Sequence, residues 1–179
     1  MKIPIKKLKL IIRYFCTYTD KRFLGKTKLM KLFYFLDFNH VKKYGAPITY
    51  DRYVNMEHGP IPSKIMDLVC SVSDEESLLS DTIYIDKSKN QGIHRIKCYH
   101  KFTNNDRKYF AQSELETLGQ VVNKYKNCNK DTIENDSHKE APWKYTKFLQ
   151  EIPYTLATKD DNCKATKEEI ELVMEIANE

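Results

Sequence analysis

Between Gly25 and Gly45 the chain carries apolar side chains on more faces than a single helical stripe can hold. Leu29, Leu32, Phe33 and Leu36 keep the i, i+3, i+4, i+7 spacing of an amphipathic helix, and Met30, Phe35 and Phe38 extend the apolar surface around its flank. A helix of that kind needs neighbours on most sides, so the other elements must be arranged around it. Gly45 is the expected left-handed stop, with Lys42 and Lys43 in the last turn where positive charge suits the helix dipole.

The candidate neighbours are short. Pro4 can open a helix whose apolar stripe is Ile5, Leu8, Ile12, Phe15 and Cys16, ending near Thr19 and Asp20. Pro47, Gly59, Pro60 and Pro62 punctuate residues 46–62, which read as a turn, a short element over Tyr50 to Met56 and a stiff loop. Ser63 to Val72 returns to helix. Thr82 to Asp86 and Ile93 to Tyr99 alternate apolar and polar residues about a turn at Lys89 to Gly92, the pattern of an antiparallel hairpin. Ser113 with Glu116 and Thr166 with Glu169 have capping-box spacing ahead of apolar repeats. Asp131 with Glu134 marks a short helix ending near His138, Glu140 to Leu149 reads as another carrying Trp143, and residues 157–164 read as a polar loop. The reading is an α+β chain, predominantly α-helical, with one small antiparallel β-hairpin. At 179 residues, and without a repeat or linker, it is expected to form a single compact domain over 1–179.

Composition excludes several classes. With 5 Gly in the chain there is no GxGxxG or GxxxxGK[ST] loop to cradle a phosphate, and GxSxG is missing too. Five scattered cysteines without a CxxC pair argue against a disulfide framework or a cysteine zinc site, and no cofactor is expected. A reducing, cytoplasmic compartment fits, and neither a membrane span nor an apolar leader is legible. Charge is uneven: residues 1–50 hold 12 Lys and Arg against Asp20 and Asp37, in a chain whose net charge is +5. That basic half is read mainly as a solvated surface; nucleic acid is not an expected partner, since no helix-turn-helix or RNA-binding signature accompanies it.

Two constellations stand out. Asp37, His40, Glu57 and His58 are the only group that could do acid-base or metal chemistry, yet their spacing is not that of a zinc site, and the plainer reading puts Asp37 at the helix edge and His40 in its last turns. Tyr34, Tyr44, Tyr50 and Tyr53, among 12 tyrosines, cluster about the Pro-rich segment and suit either a protein interface or a half-buried core edge.

The run from Lys28 to His40, then Lys43 to Thr49, then Tyr53, then His58 to Pro62, with a late segment from Ser137 to Trp143, resembles the Panacea, or SocA-like, antitoxin domain over about residues 22–150. Helices over 4–19 and 166–178 would flank that core. The resemblance implies an antitoxin that binds and neutralises a cognate toxin protein. A relative of this kind hands its toxin to a AAA+ protease, which makes an adaptor role the first alternative; a phage or mobile-element regulator is a second, and an enzyme using Asp37, His40 and His58 a third. The partner-binding candidates are Tyr34, His40, Tyr44, Tyr50, Tyr53, Glu57 and His58, on or beside the Pro-rich segment, and the resemblance implies architectural roles for Gly45, Pro47, Gly59, Pro60, His138 and Trp143.

Overall fold

The computed structural model describes residues 3–74, 76–87 and 94–178. Helix α2, Lys26–Tyr44, runs through the middle, with Leu29, Met30, Leu32, Phe33, Phe35, Leu36 and Phe38 all buried. Because its apolar residues occupy every face, it is packed by elements on all sides. Helix α1, Ile5–Tyr18, lays Leu8, Ile11, Ile12 and Phe15 on one flank, with the Phe15 and Phe33 rings edge to face at 5.3 Å. The Pro4 carbonyl accepts from the amides of Lys7 and Leu8, so the proline caps the helix from just outside it. At the far end Gly45 takes φ +75° and donates its amide to the Val41 carbonyl, the stop expected from the sequence.

Three short strands form the first sheet. β1, Tyr53–Met56, pairs antiparallel with β2, Gly59–Pro62, around the two-residue turn Glu57–His58. β5, Glu151–Ile152, adds to the other edge of β1. The stiff loop expected over Gly59 to Pro62 is therefore a strand. Pro60 and Pro62 are tolerated because β2 is an edge strand, where missing donors break no second ladder. The second sheet is the expected hairpin, β3, Ile83–Lys87, against β4, His94–Cys98. Its proposed turn at Lys89 to Gly92, and Ile93, lie outside the described residues.

Helix α3, Ser63–Cys70, is shorter than read, because a 3-10 turn takes over at Ser71–Ser73. Its first turn is capped from a distance: the Asp51 carboxylate accepts from Lys64 N at 3.2 Å and Ile65 N at 2.8 Å. Helix α4, Gln112–Tyr125, begins ahead of the Ser113 box, with Glu114 reaching back to the Ala111 amide at 2.8 Å; Ser113 and Glu116 are thereby freed for tertiary contacts. Helix α5, Lys130–Lys139, is capped by Asn129, which accepts from Thr132 N at 3.0 Å, in place of Asp131. The helix read over Glu140 to Leu149 is only α6, Ala141–Lys144, and the chain then turns out into solvent. Part of the polar loop beyond it is a 3-10 turn, Tyr154–Lys159. Helix α7, Lys167–Asn178, opens on the expected box, Thr166 N donating to Glu169 at 2.8 Å and Glu169 N to Thr166 Oγ1 at 3.2 Å.

Candidate functional site

The polar residues of α2 are used inward. Asp37 is wholly buried and takes two amides on one oxygen, Ile48 N and Thr49 N, each at 2.8 Å. Its other oxygen accepts from the hydroxyls of Thr49 and Tyr53, the latter at 2.8 Å, while Tyr154 spends its proton on the Asp51 carbonyl at 2.7 Å. Burial pushes the Asp37 pKa up and these donors pull it back. The carboxylate is thus a latch that holds the 45–51 turn to the central helix. His40 is a second latch: Nδ1 lies 2.6 Å from the Ala46 carbonyl, so it carries the proton and donates, which leaves Nε2 to accept from Ser113 Oγ at 3.3 Å. Burial lowers its pKa, in keeping with a neutral ring.

His58 sits elsewhere, exposed on the β1–β2 turn, with Nδ1 3.1 Å from Glu134 of α5. Asp37, His40 and His58 therefore do not converge as a catalytic set would. Among the described residues no group of three or more His, Cys, Asp or Glu side chains is placed to hold a metal.

Of the partner-binding candidates, Tyr34 and Tyr53 are corrected outright. Both are 0% exposed. The Tyr34 ring lies 4.5 Å from Phe38 and 5.9 Å from Tyr53, so the pair belongs to the core and offers a partner nothing. His40 is likewise sealed at 7%. Tyr44 is partly exposed, with its hydroxyl on Glu116 at 2.9 Å, and Tyr50 is half-buried at φ +53°, completing the turn that Asp37 holds. Glu57 and His58 are exposed at the hairpin tip.

Of the architectural candidates, Gly59, Pro60, His138 and Trp143 lie together, while Gly45 and Pro47 stand at the far end of α2. Gly59 adopts φ +87°, and a Cβ there would stand 2.6 Å from Ser137 Oγ, 3.0 Å from Lys31 Cε and 3.1 Å from His138 Nε2. Lys31, buried in α2, donates to the Pro60 carbonyl at 2.8 Å; burial drives its pKa down to about 7, against the attraction of Glu134. The His138 ring stacks on Trp143 at 4.0 Å, and burial lowers its pKa as well. The hairpin is thus clamped between α2 and α5.

The basic N-terminal half turns out to be largely consumed by the fold. Lys28, Lys31 and Lys42 are buried. Lys42 lies between Glu140 at 2.6 Å and Asp160 at 2.9 Å; Lys7 pairs with Glu114 at 2.5 Å, Lys9 with Asp81 at 2.7 Å and Arg22 with Asp20 at 2.6 Å. The partner carboxylates come mostly from the acidic remainder of the chain, so the asymmetry seen along the sequence is cancelled in space.

One surface feature was missed in the sequence. Tyr145, Phe148 and Leu149 are 69%, 61% and 62% exposed on the segment leaving α6. Asn55 of β1 fixes that segment: its Nδ2 donates to the carbonyls of Trp143 at 3.1 Å and Thr146 at 2.6 Å, its amide to Gln150 O at 2.9 Å, and its carbonyl receives Leu149 N at 2.8 Å. The i, i+3, i+4 spacing of the three apolar residues is that of a helix stripe, in keeping with the helix expected over Glu140 to Leu149.

The family model of the antitoxin SocA-like Panacea domain matches residues 29–144, from the first turn of α2 to the end of α6. Neither a curated protein nor a solved structure matches the chain. The matched stretch holds both latches, the hairpin and its clamp, and it spans well over half of the 179 residues. The chain belongs to the SocA-like antitoxin family and carries its Panacea domain.

Proposed function

We propose that this protein binds a toxin protein encoded beside it and neutralises it by direct contact, with no covalent chemistry performed by this chain. The observation that carries the reading is the family match over α2 to α6. The use made of the polar residues supports it: Asp37 and His40 are spent on holding the 45–51 turn, and His58 stands apart from both. A turn whose buried carboxylate and imidazole contacts are satisfied in this way is a pre-formed surface, and a partner that docks on it incurs little ordering cost. Tyr44, Tyr50, Glu57 and His58 are the sequence candidates left within a partner's reach. Phe15 of α1 and Ile170 of α7 lie in the same core as α2, which supports reading the chain as one unit.

The test is co-expression of the neighbouring open reading frame in a bacterial host, with and without this chain. Growth arrest by the neighbour, relieved by this chain, together with a complex that stays inhibited after purification, is the expected result. Rescue that requires a host AAA+ protease would instead make the chain an adaptor, and rescue without any physical association would overturn the proposal.

A further inference from the structure

The segment after α6 contains an expense that the isolated fold does not recover. Lys147 to Gln150 form a β-turn closed by Gln150 N donating to Lys147 O at 3.0 Å, and the third residue of that turn, Leu149, takes φ +65°. A turn with positive φ at that position favours Gly or Asn; a leucine there is strained. Ordinarily such strain is offset by burial of the side chain. Here the side chain is 62% exposed, and Phe148 and Tyr145 beside it are 61% and 69% exposed. The turn is nonetheless held rigidly by the four Asn55 contacts, so these apolar groups are presented in one conformation. Rigid, exposed and strained together are the marks of a group whose return comes from outside the monomer.

We infer that Tyr145, Phe148 and Leu149 form the anchor by which this chain grips its toxin. The partner surface is an apolar pocket rimmed by carboxylates. Charge chooses that occupant. Lys144 and Lys147 flank the patch, are exposed, and among the described residues neither forms an ion pair, so the rim they present is cationic and unneutralised. The inference rests on the antitoxin reading above and names its surface.

The test uses the full chain and the product of the neighbouring open reading frame, measuring both growth rescue and affinity. Leu149→Asn keeps a residue that tolerates the left-handed turn and removes the apolar branch; Phe148→Ser and Tyr145→Ser remove the rings. Each variant should keep or raise the thermal midpoint, and each should weaken binding at least about tenfold. Lys144→Glu with Lys147→Glu should slow association and flatten its salt dependence. Wild-type rescue together with full-affinity binding by all three folded apolar variants would overturn the anchor while leaving the antitoxin reading intact. A wild-type chain that neither rescues nor binds would overturn the antitoxin reading, and the anchor with it. A wild-type dimer that the three substitutions dissociate without loss of rescue would assign the patch to a second copy of this chain and overturn the toxin as its occupant.

Discussion

Alanine at Gly59 and alanine at Gly45 make a controlled pair, because both glycines sit at similar positive φ, +87° and +75°, but in different surroundings. At Gly45 the new Cβ would meet nothing closer than Ala165 Cβ at 3.8 Å, an ordinary contact. The cost there is the left-handed backbone alone, about 1 to 2 kcal/mol, reduced by the smaller entropy of the unfolded chain to about 1 kcal/mol. At Gly59 the same strain applies, and the Cβ would also stand 2.6 Å from Ser137 Oγ. That hydroxyl is buried and donates to the Glu134 carbonyl at 2.7 Å, so it cannot swing away without giving up its bond. Moving α5 away from β2 instead is overpacking, at about 1 to 3 kcal/mol. The sum for Gly59→Ala is about 3 kcal/mol, and Gly59→Val, with a β-branched side chain in the same space, should cost more. Urea unfolding followed by Trp143 fluorescence, the single tryptophan of the chain, reads both variants. With a slope of about 2 kcal/mol per molar urea, the midpoints should fall by about 0.5 M for Gly45→Ala and about 1.5 M for Gly59→Ala. Equal shifts would refute the close-contact argument, and no shift in either would refute the requirement for glycine.

The remaining predictions concern groups the fold has buried or paired. Lys31 has its folded pKa depressed to about 7 from an ordinary 10.5, so between those values the unfolded state binds more protons and stability rises with pH. Wild type should therefore gain on Lys31→Met from pH 7 to 9.5, by at most about 1.4 kcal/mol per pH unit, and parallel stability curves would contradict the burial argument. Asp37→Asn keeps an acceptor for the Ile48 and Thr49 amides but turns an amide toward the Thr49 and Tyr53 hydroxyls, and should cost about 2 to 4 kcal/mol; a thermal midpoint close to that of wild type would mean that the latch is dispensable. Lys7→Glu places like charges where Lys7 and Glu114 now lie 2.5 Å apart, and should lower stability by about 1 kcal/mol or somewhat more, with the loss shrinking as salt is added. A loss insensitive to salt would point to packing of the lysine stem instead.

The sequence by itself determined that this chain is organised about one central helix, because only a buried helix can carry Leu29, Phe33, Phe35, Leu36 and Phe38 on opposing faces. It also determined where that helix stops and where α7 begins, since Gly45 and the Thr166–Glu169 box act through backbone geometry within a few residues. The same local chemistry misplaced the start of α4, where Glu114 reached the Ala111 amide and released Ser113 and Glu116 to His40 and Tyr44. Which tyrosines face a partner was decided by tertiary structure alone. Tyr34 and Tyr44 stand on one helix and look alike in sequence, yet one lies under Phe38 and Tyr53 and the other beyond the edge of the core. The exposure of Tyr145, Phe148 and Leu149 was decided the same way, by Asn55, which is 90 or more positions away and ends a helix that the apolar spacing would have continued. Hydrogen bonds and burial between distant segments carry no local periodicity, so they become legible only once the chain has folded.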